Sequence, residues 1–369
     1  MTSKDVMTFD EALESANEFE KLYPEYSHKN VLLGNGFSIA CCPEIFTYDS
    51  LFKNSNFSEC IKKVFQEFKT NDFEKIIKKL NETLKICQIY NVEQSSIKQI
   101  DFDSEKIKKE LVDVISNKHP EHQHRIKNYK YCSAFKFISN FNNIFTLNYD
   151  MLLYWILMFK ERDAKILEQL NITLKDYADG FGRRYRNAPL NWYKNSLQNV
   201  FYLHGALHLF DDNLDIIKAE TTDEFNLMES IQDRLNEETY PLIVTEGTSN
   251  EKLEKISHNK YLQNSYDKLN EISGTIFIHG HSLDRNDKHI FNQIKYNNCI
   301  KRVYISIFKP QNNIEHIKDK AFTLLINKRE EIPKELFYYD AESAHVWDSI
   351  SEEEEIAAEF DLYEENNEF

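Results

Sequence analysis

Asn30-Val31-Leu32-Leu33-Gly34-Asn35-Gly36-Phe37-Ser38 is the stretch on which the fold turns. A short apolar run that ends in Gly-Asn-Gly reads as a buried strand entering a tight turn. Glycine goes where the backbone needs positive φ or must approach another group closely. The chain holds only 8 glycines in 369 residues, so two within three positions mark a place where the backbone matters. Such a turn lets main chain meet a phosphate, and a following helix offers free N–H groups and the positive end of its dipole. The third glycine of a full GxGxxG fingerprint is missing, so a plain strand–helix turn is the other reading.

Similar runs recur downstream, from Asn143 to Leu147, Val200 to Leu203, Pro241 to Thr245, Gly274 to Ile278 and Arg302 to Ile307. Each is short and apolar, and helical or loop sequence separates it from the next. That alternation predicts an α/β fold, a Rossmann-like parallel sheet with helices on both faces. Ligands in such folds bind beyond the carboxyl ends of the strands. The residues delivered there are Gly34-Asn35-Gly36, Asn148-Tyr149-Asp150, His204-Gly205, Glu246-Gly247 and His279-Gly280-His281-Ser282.

Residues 53–140 read as a mostly helical insertion between the first two strands. Phe57, Ile61, Val64, Phe65 and Phe68 share one helical face. Asn71 and Glu74 have the spacing of a capping box. Asp103-Ser104 would cap a helix carrying Ile107, Leu111, Val114 and Ile115. The expected organisation is an N-terminal helical segment at 1–29, the α/β domain at 30–348 and an acidic tail at 349–369.

Apolar residues make up 41% of the chain, enough for a real core. No run of eighteen apolar residues exists, so no membrane span is expected, and the first twenty residues lack a signal-peptide core. The six cysteines form no CxxC pair. This argues against a zinc ribbon or a disulfide framework and fits the cytoplasm. Of the formal net charge of −16, nine units lie between Ser351 and Phe369, leaving about −7 elsewhere. No basic stretch of the kind a duplex nucleic-acid binder carries is visible.

Asn148 can orient a water or a ribose hydroxyl with its amide. Asp150 either serves the same site or caps the helix that follows, a role its side chain favours. His204 sits at a strand end beside glycine, and its imidazole suits general-base work. A core histidine satisfied by backbone is the alternative, and His208 reads as structural. The run Gly280-His281-Ser282-Leu283-Asp284 lacks the second glycine of a GxSxG elbow. A turn that touches a nucleotide through Ser282 and Asp284 fits better. Asp287 and His289 read as loop anchors or helix caps. His119, His122 and His124 read as a solvated loop, and no metal site is expected.

In their order, these motifs resemble the SIR2 family. Gly34-Asn35-Gly36-Phe37-Ser38 is similar to its Gly-Ala-Gly-x-Ser nucleotide loop. Thr146-Leu147-Asn148-Tyr149-Asp150 is similar to its Thr-Gln-Asn-Ile-Asp ribose-binding segment. His204-Gly205 resembles the pair that carries its catalytic base, and Gly280-His281-Ser282-Leu283 its Gly-Thr-Ser-Leu turn. The closer resemblance is to SIR2-like proteins of bacterial anti-phage defence, including the family called DUF4917, whose pattern Glu246-Gly247-Thr248-Ser249, Lys252 and Tyr261-Leu262 matches. A fainter one is to the SIR2-like subunit of the Kongming system.

The resemblance implies an NAD+ glycohydrolase of an abortive-infection system, with NAD+ as substrate and no metal. It implies His204, Asn148 and Asp150 as catalytic residues. Gly34, Asn35, Gly36, Ser38, Gly280, Ser282 and Asp284 would hold the dinucleotide. It further implies a homo-oligomer, or a complex with a regulatory protein such as a HAM1-like nucleotide-binding subunit. The zinc-binding cysteine pairs of protein-deacylating sirtuins are missing, which weighs against deacylation. A sensor that binds NAD+ or ADP-ribose without turnover, and an interaction subunit using its acidic tail, are the competing readings.

Overall fold

The computed structural model describes residues 6–120, 123–185, 188–212, 215–220, 227–237, 239–245, 248–329 and 333–348. Glu246, Gly247, His122 and the acidic tail at 349–369 lie outside these residues.

A six-stranded sheet forms the centre: β1 (Lys29–Leu33), β2 (Asn143–Thr146), β3 (Val200–Tyr202), β4 (Gly274–His279), β5 (Ile300–Ile307) and β6 (Glu335–Asp340). The spatial order is β6-β5-β4-β1-β2-β3, and every neighbouring pair is parallel. This is the doubly wound order of a Rossmann-like fold, with its topological switch between β1 and β4. Val31, Leu32 and Leu33 and the whole of β4 are buried. Helices cover both faces, which is why these strands read as unbroken apolar runs.

Five of the expected strands belong to this sheet, and Pro241–Thr245 does not. It lies antiparallel to residues 204–209, just past the tip of β3. A single bridge joins Ile243 to Gly205, and the Val244 N–H donates to the His204 carbonyl at 2.9 Å. Its short apolar run serves to cover a turn, which periodicity cannot distinguish from a strand. The sheet's actual last strand is β6, whose outer edge pairs with Met7. The Met7 N–H donates to the Tyr338 carbonyl at 2.9 Å, and the Asp340 N–H to that of Met7 at the same distance. A small antiparallel sheet of Phe181–Gly182, Leu190–Trp192, Ile216–Lys218 and Leu209–Asp211 was not legible, because segments of two or three residues show no period.

Helices fill the interval between β1 and β2, ending with Phe73–Ile89, Gln94–Lys118 and Asn128–Ile138. Asp72, not Asn71, caps the first of these three, its carboxylate accepting the Lys75 N–H at 3.1 Å. The helix Gln94–Lys118 runs straight through Asp103-Ser104. Both side chains are satisfied laterally there, Asp103 by Gln99 and Ser104 by Asn81, each at 3.0 Å. His119 is buried rather than solvated, and its Nε2 accepts the Met151 N–H at 3.1 Å. None of the described helices is long and apolar enough to cross a membrane.

The first helix, Phe9–Leu22, starts with a capping box between Thr8 and Glu11 and buries Phe9, Ala12 and Ala16. At the other end of the described chain, Trp347 is buried and donates its indole N–H to the Phe37 carbonyl at 2.7 Å. Trp347 thus packs on the turn after β1, while Phe9 packs against Phe277 and Tyr339 of the sheet.

Gly280, which follows β4, has φ +70°, and a Cβ there would lie 2.5 Å from the Phe37 nitrogen. Gly280→Ala therefore combines a left-handed backbone with a clash against main chain that has no room to move. It is expected to cost at least about 2 kcal/mol in urea unfolding. Gly182→Ala, with open space at its Cβ, should stay within about 1 kcal/mol of the parent. Equal stabilities would show that the switch-point turn is not the tight element described.

Candidate active site

Two hydrogen-bonded clusters occupy the carboxyl edge of the sheet. The first joins the turn after β1 to the turn after β2. Ser38 donates its hydroxyl to Asp150 Oδ2 at 2.5 Å, and Asn148 Nδ2 donates to Ser38 Oγ at 2.9 Å and to the Gly34 carbonyl at 3.1 Å. Both N–H bonds of the Asn148 amide are thereby spent, leaving its carbonyl oxygen for a ligand. Asp150 Oδ1 accepts the Leu152 N–H at 2.9 Å, so this carboxylate both opens the helix Leu152–Arg162 and binds Ser38. The N-cap position itself is Met151, so Asp150 meets the helix start from one residue before it. Burial raises the pKa of Asp150, and the Ser38 hydroxyl opposes that rise.

The second cluster gathers around His204, just beyond β3. Its Nε2 lies 3.1 Å from His289 Nε2 and 3.9 Å from Asp287 Oδ1. The partner that satisfies it is a side chain, not the backbone. His289 Nδ1 reaches Ser249 Oγ at 3.1 Å. Asp287 occupies the N-cap position of the helix Lys288–Tyr296 without capping it. Its carboxylate instead takes Lys252 Nζ at 3.0 Å and His281 Nε2 at 3.1 Å. Lys252, fully buried, also donates to Glu74 Oε2 at 2.7 Å. The Tyr149 hydroxyl donates to Glu74 Oε1 at 2.9 Å and so ties this cluster to the first, since Tyr149 lies between Asn148 and Asp150. Behind His204, Gly205 has φ +76°, and a Cβ on it would fall 1.8 Å from the Leu242 carbonyl oxygen. The 241–245 segment therefore presses directly on this turn.

The network sets the charges. Burial lowers the pKa of His204 well below its ordinary range, with Lys252 adding to the effect and Asp287 opposing it. Burial likewise brings His289 to about 4. Burial would raise Asp287, but Lys252 and His281 hold it well below the usual carboxylate range. Burial also disfavours a charged Lys252, yet Glu74 and Asp287 together keep it protonated. Glu74 is raised by burial, with Lys252 counteracting.

His204, Asp287 and His289 place ligand atoms within 4.8 Å of one another, a donor set that zinc would accept. The Lys252 ammonium already holds Asp287 Oδ1, however, and a divalent cation beside it would face like-charge repulsion. The geometry is that of a hydrogen-bonded network.

Of the expected binding residues, Gly34, Ser38 and Gly280 meet at the switch point. The Gly36 N–H is not free for a phosphate, because it donates to the Gly280 carbonyl at 2.7 Å. Asn35 turns away, its amide reaching the Phe46 carbonyl at 3.3 Å. The Ser282 side chain is exposed, while Asp284 caps the turn Arg285–Asp287 through the Asn286 N–H at 2.9 Å. His208 is buried away from both clusters, against Tyr154 and Tyr202. The sequence marks Lys252 only within a family pattern and Glu74 only as a capping residue, and their pairing escapes it. They are 178 positions apart, and Glu74 imitates a capping residue.

A family model described as a domain of unknown function, DUF4917, matches residues 31–347. No curated protein matches the chain.

Two expectations follow. Lys252→Ala leaves the largely enclosed Glu74 and Asp287 without their counter-ion, a loss of about 3–5 kcal/mol in urea unfolding; a loss below about 1 kcal/mol would mean that the carboxylates find water. Burial also holds His279 at a pKa of about 4, against about 6.5 in an unfolded chain. Between these values the unfolded state binds more protons, so this residue's contribution to stability falls as pH drops from about 6.5 to 4. His279→Gln should show a shallower loss of stability between about pH 7 and pH 5 than the parent, and an identical slope would contradict the assignment.

Proposed function

The chain belongs to the DUF4917 family, and from its site we propose that it is a SIR2-like NAD+ glycohydrolase that cleaves the nicotinamide–ribose bond to give nicotinamide and ADP-ribose. The observation that carries this reading is the hydrogen-bonded set Gly34–Ser38–Asn148–Asp150 at the switch point of the sheet, with His204 at the neighbouring strand tip. Dinucleotides bind at this place in doubly wound folds.

Cleavage develops oxocarbenium character at the ribose C1′, and the leaving nicotinamide is already cationic, so little acid assistance is needed. The protein must hold the sugar, limit water to one attacking molecule and stabilise charge. The free carbonyl oxygen of Asn148 orients a ribose hydroxyl or that water. His204, neutral at physiological pH, accepts the proton. Asp150, held by Ser38, supports the ribose side. The phosphates lie against the main chain that follows Gly280, whose own N–H is spent on Ser306 Oγ at 2.9 Å. The setting we propose is an anti-phage abortive-infection system, in which this chain acts as a homo-oligomer or with a regulatory protein, a HAM1-like nucleotide-binding subunit being one form.

Burial favours a second reading. His204 is 2% exposed and Asn148 9%. A chain that senses NAD+ or ADP-ribose without turning it over would suit so enclosed a site. Calorimetric binding with NAD+ intact after hours would select the sensor.

Nicotinamide release followed by chromatography tests the hydrolase. His204→Ala and Asn148→Ala should each lower the rate by about 100-fold or more while remaining folded. Variants that release nicotinamide at the parental rate would remove both residues from the reaction.

A further inference from the structure

His204 is too enclosed to hand a proton directly to bulk water. We propose that His289 and Ser249 form a proton relay behind His204, positioning residues that carry its proton toward the surface; this rests on the hydrolase reading above.

The geometry is continuous. His204 Nε2 and His289 Nε2 are 3.1 Å apart, with the two rings inclined by only 19°. His289 Nδ1 lies 3.1 Å from Ser249 Oγ. That same oxygen accepts the His289 backbone N–H at 2.6 Å, which fixes the serine against the ring. The Tyr266 hydroxyl donates to the His289 carbonyl at 3.2 Å and steadies the other side. Ser249 opens the helix Ser249–His258 and is only half-buried. The line therefore runs from the enclosed imidazole toward solvent.

With Nε2 committed to His289, Nδ1 is the nitrogen left on His204 for the substrate. The tautomers assigned by this arrangement put hydrogen on His204 Nε2 and on His289 Nδ1. In the step, an O–H bond of the attacking water or a ribose hydroxyl breaks and its proton joins His204 Nδ1. The Nε2 proton of His204 passes to His289 Nε2. The Nδ1 proton of His289 passes to Ser249 Oγ, whose own hydroxyl proton leaves to water. Each of the three groups gains one proton and loses one, and no charge is left behind.

The surrounding charges are arranged for transit. Asp287 Oδ1, 3.9 Å from His204 Nε2, stabilises a passing imidazolium. Lys252, held by Glu74 and Asp287, opposes its persistence, and His281 binds the far oxygen of Asp287. Burial lowers both rings of the pair, His289 to about 4.

The test has two arms on the full chain. In nitrogen-15 NMR of the imidazoles, the parent should show a protected Nε2 proton on His204 that is lost in His289→Phe, together with a shifted His204 titration. In nicotinamide release with NAD+, His289→Ala should lower kcat at least about 10-fold with KM unchanged, and added imidazole should restore the rate, which a structural role would not allow. His204 resonances indifferent to residue 289, or a His289→Ala enzyme at parental kcat, would overturn the relay. If the parent releases no nicotinamide, the hydrolase reading falls. The NMR arm still judges the hydrogen-bonded chain, loss of the protected proton supporting it and its persistence overturning it.

Discussion

The buried ammonium of Lys252 is the constraint on which the candidate site depends. A cation with no exposed surface is tolerated only when counter-charges meet it at hydrogen-bond distance. Here they come from two distant parts of the chain, Glu74 in the helical interval after β1 and Asp287 in the turn after β4. Satisfying one lysine therefore docks the helix Phe73–Ile89 onto the carboxyl edge of the sheet. It also fixes Asp287 at the place where His204, His281 and His289 converge. An ionised Asp287 and a bridged Tyr149 descend from that demand, while burial is the main cause of the depressed imidazole pKa values, with Lys252 adding to it at His204.

A second constraint is steric. The turns after β1 and β4 interlock through main chain at the switch point, with the Gly36 N–H bonded to the Gly280 carbonyl. This seats Ser38 and Asn148 against one another and brings Asp150 to the start of its helix. The same bond removes the N–H donor that a glycine-rich loop ordinarily offers to phosphate. The polar groups this edge presents are therefore side chains, Ser38, Asn148 and Asp150 among them, rather than that N–H. The Phe37–Trp347 contact, with ring centroids 5.2 Å apart, packs the last described segment onto the same turn.

Much of this was legible locally. β1, β2, β3, β4 and β5 announce themselves as apolar runs because both faces of a parallel sheet are covered. The polar residues at their ends followed directly, and Ser38, Asn148, Asp150 and His204 all stand on the expected edge. β6 was harder, since its half-exposed, tyrosine-rich pattern lacks a continuous apolar signal. Pro241–Thr245 imitates a strand because an apolar cover over a turn has the same composition. Glu74 and Asp103-Ser104 imitate helix caps, since the residues that cap a helix also bond sideways when another element lies alongside.

Alternating composition and the residues at strand ends determined by themselves that this chain builds a doubly wound sheet with a polar carboxyl edge, because strand burial and turn chemistry are written within a few neighbouring positions. Only the tertiary structure decided which of those polar groups touch. It paired Lys252 with Glu74, set His289 behind His204, and turned the Asn35 amide toward the Phe46 carbonyl. Such pairings join residues tens to hundreds of positions apart, with no period to betray them. Their energy arises only once folding has removed water from both partners.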